Sequence, residues 1–388
     1  MPKNIVILLD GTSNEISADR TNVLRLYGTL KKSPDQIVYY DPGVGTIGAE
    51  NAWLWIWRKA TELWGQVTGW GLDQNVKEAY RFLVENYDNG QRDGEQRVER
   101  DRIYIFGFSR GAYSARVLAG FIRAVGLLEK RNLNLVDYAY RAYKRIGEGK
   151  EDTFAEVRLY ERLLDTDRPP IRLLGLFDTV ASVFEHGRYG IRLRHHAFTK
   201  TNTSVEAVRH AVAIDDRRTM YRALPWPEGN QYRANPHNVA GAANQDVREV
   251  WFTGVHSDVG GGYPEAESGL AKLPLNWMID QTRPMGLDYV TRTVNEIVLG
   301  TTANKHYVAP DALAEPHNSM TLLWSLVEFV PRRRPEDSKR WSLFGITMGL
   351  FERRAVPEGA RVHSSVLNRA AKTGKKPSNL PSQYISEP

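Results

Sequence analysis

Three residues able to do nucleophilic chemistry stand at three comparable places in the chain. Gly107-Phe108-Ser109-Arg110-Gly111 is a Gly-x-Ser-x-Gly string. A short apolar run precedes it and a helix-forming stretch follows, the context in which such a string makes a sharp turn that lifts a serine hydroxyl above a sheet. A turn that tight leaves no room for side chains at its flanks, a need that Gly107 and Gly111 meet. A serine nucleophile requires a base, and the base an orienting acid. The apolar strand pattern at 171–177 ends in Asp178-Thr179, and the one at 249–255 ends in His256. Ser, Asp, His is the chain order of α/β-hydrolases, and ligands bind at the carboxyl ends of parallel strands. The expected chemistry is ester hydrolysis through an acyl-enzyme: Ser109 attacks, His256 takes its proton, and Asp178 holds the imidazole.

An oxyanion needs donors. The helix start after Ser109 presents backbone N–H groups, that of Arg110 first. A fourth apolar strand, 4–9, runs into Asp10-Gly11-Thr12-Ser13-Asn14, and Gly11 and Thr12 are the candidates for the second donor. Asp10 has three possible uses: capping the next helix, ordering its loop, or touching the site. A structural use ranks first, because Asp and Asn are common turn formers.

Each of these residues has a plainer reading. Gly-x-Ser-x-Gly is a common loop string, Asp178 suits a helix N-cap, and His256 could be a buried histidine satisfied by Asp258. Each plain reading is reasonable alone, but three such coincidences on one sheet edge, in the right order, is the less economical account. His210 is a rival base, but it lies in a helix-like segment, 205–213, that no strand end brings to that edge. Asp258 competes with Asp178 for His256, with fixing the 260–262 glycine loop as its other use. That glycine run lacks the spacing of a phosphate loop. Arg332-Arg333-Arg334 reads as a solvated loop, with a headgroup contact as the alternative. No metal motif such as His-Glu-x-x-His is present, and the chemistry calls for no cofactor.

The elements that must position these residues read as strands at 4–9, 36–40, 102–107, 171–177 and 248–254. Helices are expected at 72–87, 110–126 and 203–213. Alternating strands and helices predict an α/β fold: a mostly parallel sheet with helices on both faces and lid or cap insertions. One domain is expected over 1–369, with a mobile or surface-laid tail at 370–388 and a polar loop at 88–101. Within an insertion at 47–71, Trp53, Trp57 and Trp64 share a helical face beside Arg58 and Lys59. That suits a lid facing lipid, against packing of the rings onto the core, which is expected for at least half of the five tryptophans in this stretch.

The strings ILLDGTSN, YYDPGVGT (39–46), GFSRGAYSAR (107–116), GLFDTV (175–180), RHAVAIDDRR (209–218) and VWFTGVHSDVGGGY (250–263) together resemble a bacterial α/β-hydrolase family long regarded as uncharacterised. It includes the phospholipase effectors of type VI secretion systems, which carry GFSRGA where lipases carry GHSLG. The motifs keep the family's order as far as 362–369. The resemblance implies a triad of the GFSRGA serine, the DTV aspartate and the HSDVGGGY histidine, here Ser109, Asp178 and His256. It also implies a lipid or ester substrate and, for an effector, a secretion-spike partner and an immunity protein.

Composition sets outer limits. The chain has 388 residues, 41% of them hydrophobic, enough for a sizeable core. It has no run of 18 apolar residues, hence no transmembrane helix is expected. Absence of cysteine excludes disulfides, thiolate zinc sites and a cysteine nucleophile. A net charge of +6, from 52 basic against 46 acidic residues, mildly favours anionic surfaces such as phospholipid headgroups. No nucleic-acid motif accompanies it. The chain enters a core strand almost at once, so a signal peptide is not expected. The expectation is synthesis in the bacterial cytoplasm and, for an effector, delivery by a type VI system. The most economical function is a phospholipid acyl-ester hydrolase. The alternatives are a hydrolase of small soluble esters or thioesters, and a toxin or adaptor module whose site is vestigial.

Overall fold

The computed structural model describes residues 2–11, 20–43, 70–90, 99–147, 163–164, 166–180, 184–187, 190–193, 196–234, 240–301, 306–329, 332–333, 338, 341–342 and 346–388. Eight strands form the main sheet: β1 (Asn4–Leu9), β2 (Gln36–Asp41), β3 (Arg102–Phe108), β4 (Ile171–Phe177), β5 (Val205–Ala213), β6 (Asp246–Phe252), β7 (Ala360–His363) and β8 (Tyr384–Glu387). Their order is β8-β7-β6-β5-β4-β3-β1-β2, and every pairing is parallel. The principal helices are α1 (Asn22–Thr29), α2 (Trp70–Asn86), α3 (Arg110–Val125), α4 (Val136–Gly147), α5 (His256–Gly260), α6 (Gly269–Thr282), α7 (Leu322–Glu328) and α8 (Ser364–Thr373).

The strands read as unbroken apolar runs because both faces of the sheet are covered. In β1 all six residues are buried. Ile5, Ile7 and Leu9 join the core under α2, α3 and α4, while Val6 and Leu8 join the opposite core under α1 and α6. The expected α/β class, a mostly parallel sheet with helices on both faces, is the class found.

Two expectations are corrected. Segment 203–213 is not a helix: Val205–Ala213 is the central strand β5, paired with β4 and β6. Its alanines, Glu206 and Arg209 give it helix-like composition. Burial on both faces removes the alternation that marks a half-exposed strand, and pairing on both sides overrides propensity. Residues 370–388 are not a loose tail. They finish α8 and then supply β8, whose residues Tyr384–Glu387 pair with Ala360–His363 at the sheet edge.

The chain steps outward from β1 to β2, then back across β1 to β3. That reversal is a topological switch point, and open α/β sheets bind ligands at the carboxyl ends of the strands beside it. Phe108 at the end of β3 is level with Phe177 at the end of β4, which is level with Ala211 in β5. The residues that follow β3, β4 and β6 therefore converge on one edge.

Candidate active site

Ser109 is the turn residue between β3 and α3. Its backbone (φ 59°, ψ −122°) lies outside the regions that L-residues favour, the kind of local strain held in place where function needs it. Both flanking glycines are required by close approach. A Cβ on Gly107 would lie 2.4 Å from the Gly111 carbonyl oxygen, and one on Gly111 would lie 2.2 Å from that of Leu9. The carboxyl end of β1 is thereby pressed against the start of α3. Although Ser109 occupies the N-cap position, its side chain makes no capping bond. The hydroxyl is turned to His256 instead, at 2.7 Å from Nε2.

His256 begins α5, just past β6. Its backbone N–H donates to Asp216 Oδ2 at 3.1 Å, and its ring lies between Phe108 (centroids 4.7 Å apart) and Tyr221 (4.9 Å, edge-on). Nδ1 is 2.5 Å from Asp178 Oδ2. A proton on Nδ1 directed at the carboxylate leaves Nε2 as the acceptor for the Ser109 hydroxyl. Asp178 is fully buried, with a φ of +40° that aspartate tolerates better than most residues. It joins the end of β4 to β5: its N–H donates to Ala211 O at 2.7 Å, and Oδ1 accepts the Ala213 N–H at 2.9 Å. Behind it, Arg354 binds both oxygens, Nη1 to Oδ1 at 2.5 Å and Nη2 to Oδ2 at 2.9 Å.

The electrostatics follow from this packing. Burial alone would raise the Asp178 carboxyl, but the Arg354 charge and the His256 hydrogen bond outweigh it and hold the carboxyl well below the usual range. Burial pulls His256 below its ordinary value of 6.5, and the Asp178 bond only partly restores it. At neutral pH the imidazole is therefore uncharged and the carboxylate ionised, the states a base and its orienter need.

The remaining expected residues divide. Arg110 opens α3 immediately after Ser109, so its N–H belongs to the first turn of the helix. The Gly11 N–H donates to its neighbour's Asp10 Oδ1 at 2.7 Å, so it serves loop order in this state. Thr12, Trp53, Trp57, Trp64, Arg58, Lys59 and Arg334 lie outside the described residues. Asp10 has the structural use ranked first: it also accepts from the Thr21 hydroxyl and from the Tyr40 hydroxyl at 2.9 Å.

His210 sits within β5, with Nδ1 2.8 Å from Glu249 Oε2 and Nε2 accepting the Thr179 N–H at 3.2 Å. Asp258 is bonded to the Val255 N–H and to the His317 N–H and Nδ1. It braces the loop that carries His256 and has no bond to the His256 ring among these contacts. Among the described residues, no cluster of three or more metal-ligating side chains is assembled.

Sequence reasoning missed three residues. Asp216 lies within the string 209–218, so a signal existed without a role. Its carboxylate, fixed by Arg218 (Nη2 to Oδ2, 2.7 Å), holds the His256 backbone. Tyr221 packs on His256 from a short 3₁₀ turn, which no motif marks. Arg354 sits in the unremarkable string Phe351-Glu-Arg-Arg-Ala355, and its partner is 176 residues away.

Residues 3–281 match the family model of the type VI secretion phospholipase effector Tle1-like catalytic domain. The chain belongs to that family. An uncharacterized Saccharomyces cerevisiae protein, YEL023C, is 36% identical over 240 residues, which are 57% of this chain and 32% of the yeast protein. Among solved structures, an uncharacterized protein from Pseudomonas aeruginosa aligns with TM-score 0.41 and 20% identity, over 79% of this chain and 49% of that one. The Tle1 effector bound to the VgrG spike from the type 6 secretion system aligns with TM-score 0.34 and 19% identity, over 69% and 52%. The chain thus spans about a third of the yeast relative and about half of each of these structures.

Proposed function

We propose that this protein is a serine hydrolase that releases acyl chains from phospholipids. The observation that carries the reading is the hydrogen-bonded chain from Ser109 through His256 to Asp178. As the Ser109 oxygen attacks the ester carbonyl, its proton passes to His256 Nε2, and Asp178 stabilises the imidazolium formed. The Arg110 N–H at the start of α3 bonds the developing oxyanion, favoured by the helix dipole. The imidazolium then gives its proton to the leaving alcohol. Water, deprotonated in turn by His256, hydrolyses the acyl-enzyme and restores Ser109.

Family membership supports phospholipid as substrate, and the surface beside the site supports a lipid interface. Trp324 of α7 packs edge-on against Tyr221, the ring that covers His256. The same helix turns Leu322 (82% exposed) and Leu326 (62%) outward, with Phe329 beyond them. An apolar patch of that kind next to a reaction centre suits a substrate presented at a lipid surface. The contact we infer is peripheral, made by these exposed side chains; no described helix is long and apolar enough to cross a membrane. Trp53, Trp57 and Trp64 are the second candidate lipid contact. Delivery by a type VI apparatus, with a spike and an immunity protein as partners, is the cellular setting this family suggests.

The test compares fatty-acid release from phospholipid vesicles with hydrolysis of a short p-nitrophenyl ester. Phospholipid hydrolysis that disappears in Ser109→Ala supports the reading. Hydrolysis of the soluble ester alone moves the substrate to small esters or thioesters. Inertness of folded protein toward both, with no fluorophosphonate uptake at Ser109, makes the site vestigial and the protein a binding module.

A further inference from the structure

Arg354 lies beyond the residues that match the family model, yet it makes the most extensive side-chain contact with Asp178. Its guanidinium is buried and forked across both carboxylate oxygens. Two backbone carbonyls lock the fork in place: Nη1 also donates to Ala213 O at 2.8 Å, and Nη2 to Tyr221 O. Both anchors belong to the site. Ala213 is the residue whose N–H binds Asp178, and Tyr221 is the ring on His256. A bidentate guanidinium fixes the plane of a carboxylate as well as its charge. Here that plane aims Oδ2 at His256 Nδ1, and so decides which imidazole nitrogen carries the proton.

We propose that Arg354 is a positioning residue of the hydrolytic reaction, holding Asp178 in the orientation and charge state that make His256 a base toward Ser109. This rests on the triad reading above. Charge balance gives it a second consequence. With Arg354 present, the buried Asp178–Arg354 pair is neutral, and forming the imidazolium adds a net positive charge. Without it, the uncompensated carboxylate would favour the imidazolium and move the titration of His256 upward. The other ionisable groups facing this cluster are Asp216 with its partner Arg218, Asp215, Tyr221, and the His210–Glu249 pair. All are retained in the variants below, so a shift belongs to Arg354.

The experiment measures the pH dependence of kcat and kcat/KM for a short p-nitrophenyl ester in wild type, Arg354→Lys and Arg354→Met. Active enzyme is counted by fluorophosphonate uptake at Ser109, and thermal unfolding is followed in parallel. Arg354→Met should lose roughly 10²- to 10³-fold in kcat with KM little changed. Its acid limb in kcat/KM should move up by about one pH unit. Arg354→Lys keeps the charge and loses the fork, so its limb should stay in place while kcat falls by roughly tenfold. Equal losses in the two variants with the limb unmoved would make Arg354 a purely structural residue and overturn the proposal. So would wild-type kinetics in Arg354→Met. If Arg354→Met fails to fold, folded Arg354→Lys decides, and an undiminished kcat there overturns the assignment. Failure of wild type to label at Ser109 removes the triad reading itself. Labelling in wild type with indifferent Arg354 variants removes only the role of Arg354.

Discussion

His256 and His210 are two buried imidazoles, each bonded through Nδ1 to a carboxylate, and each held below the ordinary histidine value chiefly by burial. Residue type, burial and titration do not separate them. What separates them is the group opposite Nε2. His256 faces a hydroxyl, which can give up a proton to chemistry. His210 faces the backbone N–H of Thr179, which cannot. Their carboxylates differ as well. Asp178 is hydrogen-bonded by a forked guanidinium, whereas Glu249 accepts the Trp226 N–H, a neutral donor that ties strand to loop, with the Arg116 charge nearby. On the proposed reading the donor opposite Nε2 marks the base, and a bracing histidine can share its burial, its Nδ1–carboxylate bond and the direction of its titration.

The largest effects should come from breaking the His256 side of this comparison. Ser109→Ala and His256→Ala should each lower kcat by about 10⁵-fold, and the double variant should be little worse, since the two act as one unit. On the other side, His210→Ala should leave activity per folded molecule nearly unchanged while costing about 2–4 kcal/mol of stability, because Glu249 loses a buried partner. A dead but folded His210→Ala beside an active His256→Ala would exchange the two roles.

The two aspartates near the site give the next contrast. Asp178→Asn should cost about 10⁴-fold in kcat by favouring the wrong tautomer, with the fold intact by circular dichroism. Asp258→Asn should act mainly on stability, by about 1–3 kcal/mol, because it loosens the His317 and Val255 bonds. The reverse ranking on equally folded proteins would move the acid to Asp258.

The pH profile sharpens the picture further. A base must be unprotonated to act, and burial holds His256 below 6.5. Activity should therefore rise with pH through a midpoint below 6.5 and be level by neutrality, read as the acid limb of kcat/KM. A midpoint above 7 would mean that Asp178 and Asp216 outweigh burial.

Smaller effects are expected at the surface. Leu322→Asp with Leu326→Asp should reduce vesicle hydrolysis several-fold and leave a short soluble ester nearly untouched, since interfacial binding energy is lost without disturbing Ser109. Trp53→Ala with Trp57→Ala serves as the parallel comparison. Equal loss on both substrates with a lower unfolding temperature would make the residues involved packing residues.

What the sequence disclosed depended on how local each signal was. The turn around Ser109 is spelled out by contiguous residues, because its glycines answer to backbone atoms close by in the fold. Asp178 and His256 were readable because each follows an apolar strand that the sheet must end. Strand β5 was misread for the opposite reason: buried on both faces, it shows no alternation, and its pairing partners are supplied by β4 and β6. Arg354, Asp216 and Tyr221 act through contacts set by the tertiary fold. Nothing around Arg354 distinguishes it from the neighbouring Arg353, which instead lies 3.9 Å from Asp215 with its side chain partly exposed.

The central claim is that Ser109 is a nucleophile activated by His256, and covalent trapping tests it most directly. Wild type, Ser109→Ala, His256→Ala and His210→Ala are incubated with a fluorophosphonate, and the adduct is located by peptide mass spectrometry. A single adduct on Ser109 is expected in wild type and in folded His210→Ala. None is expected in Ser109→Ala, and labelling should be slowed by orders of magnitude in His256→Ala. An adduct on another residue, or undiminished labelling of Ser109 without His256, would contradict that claim.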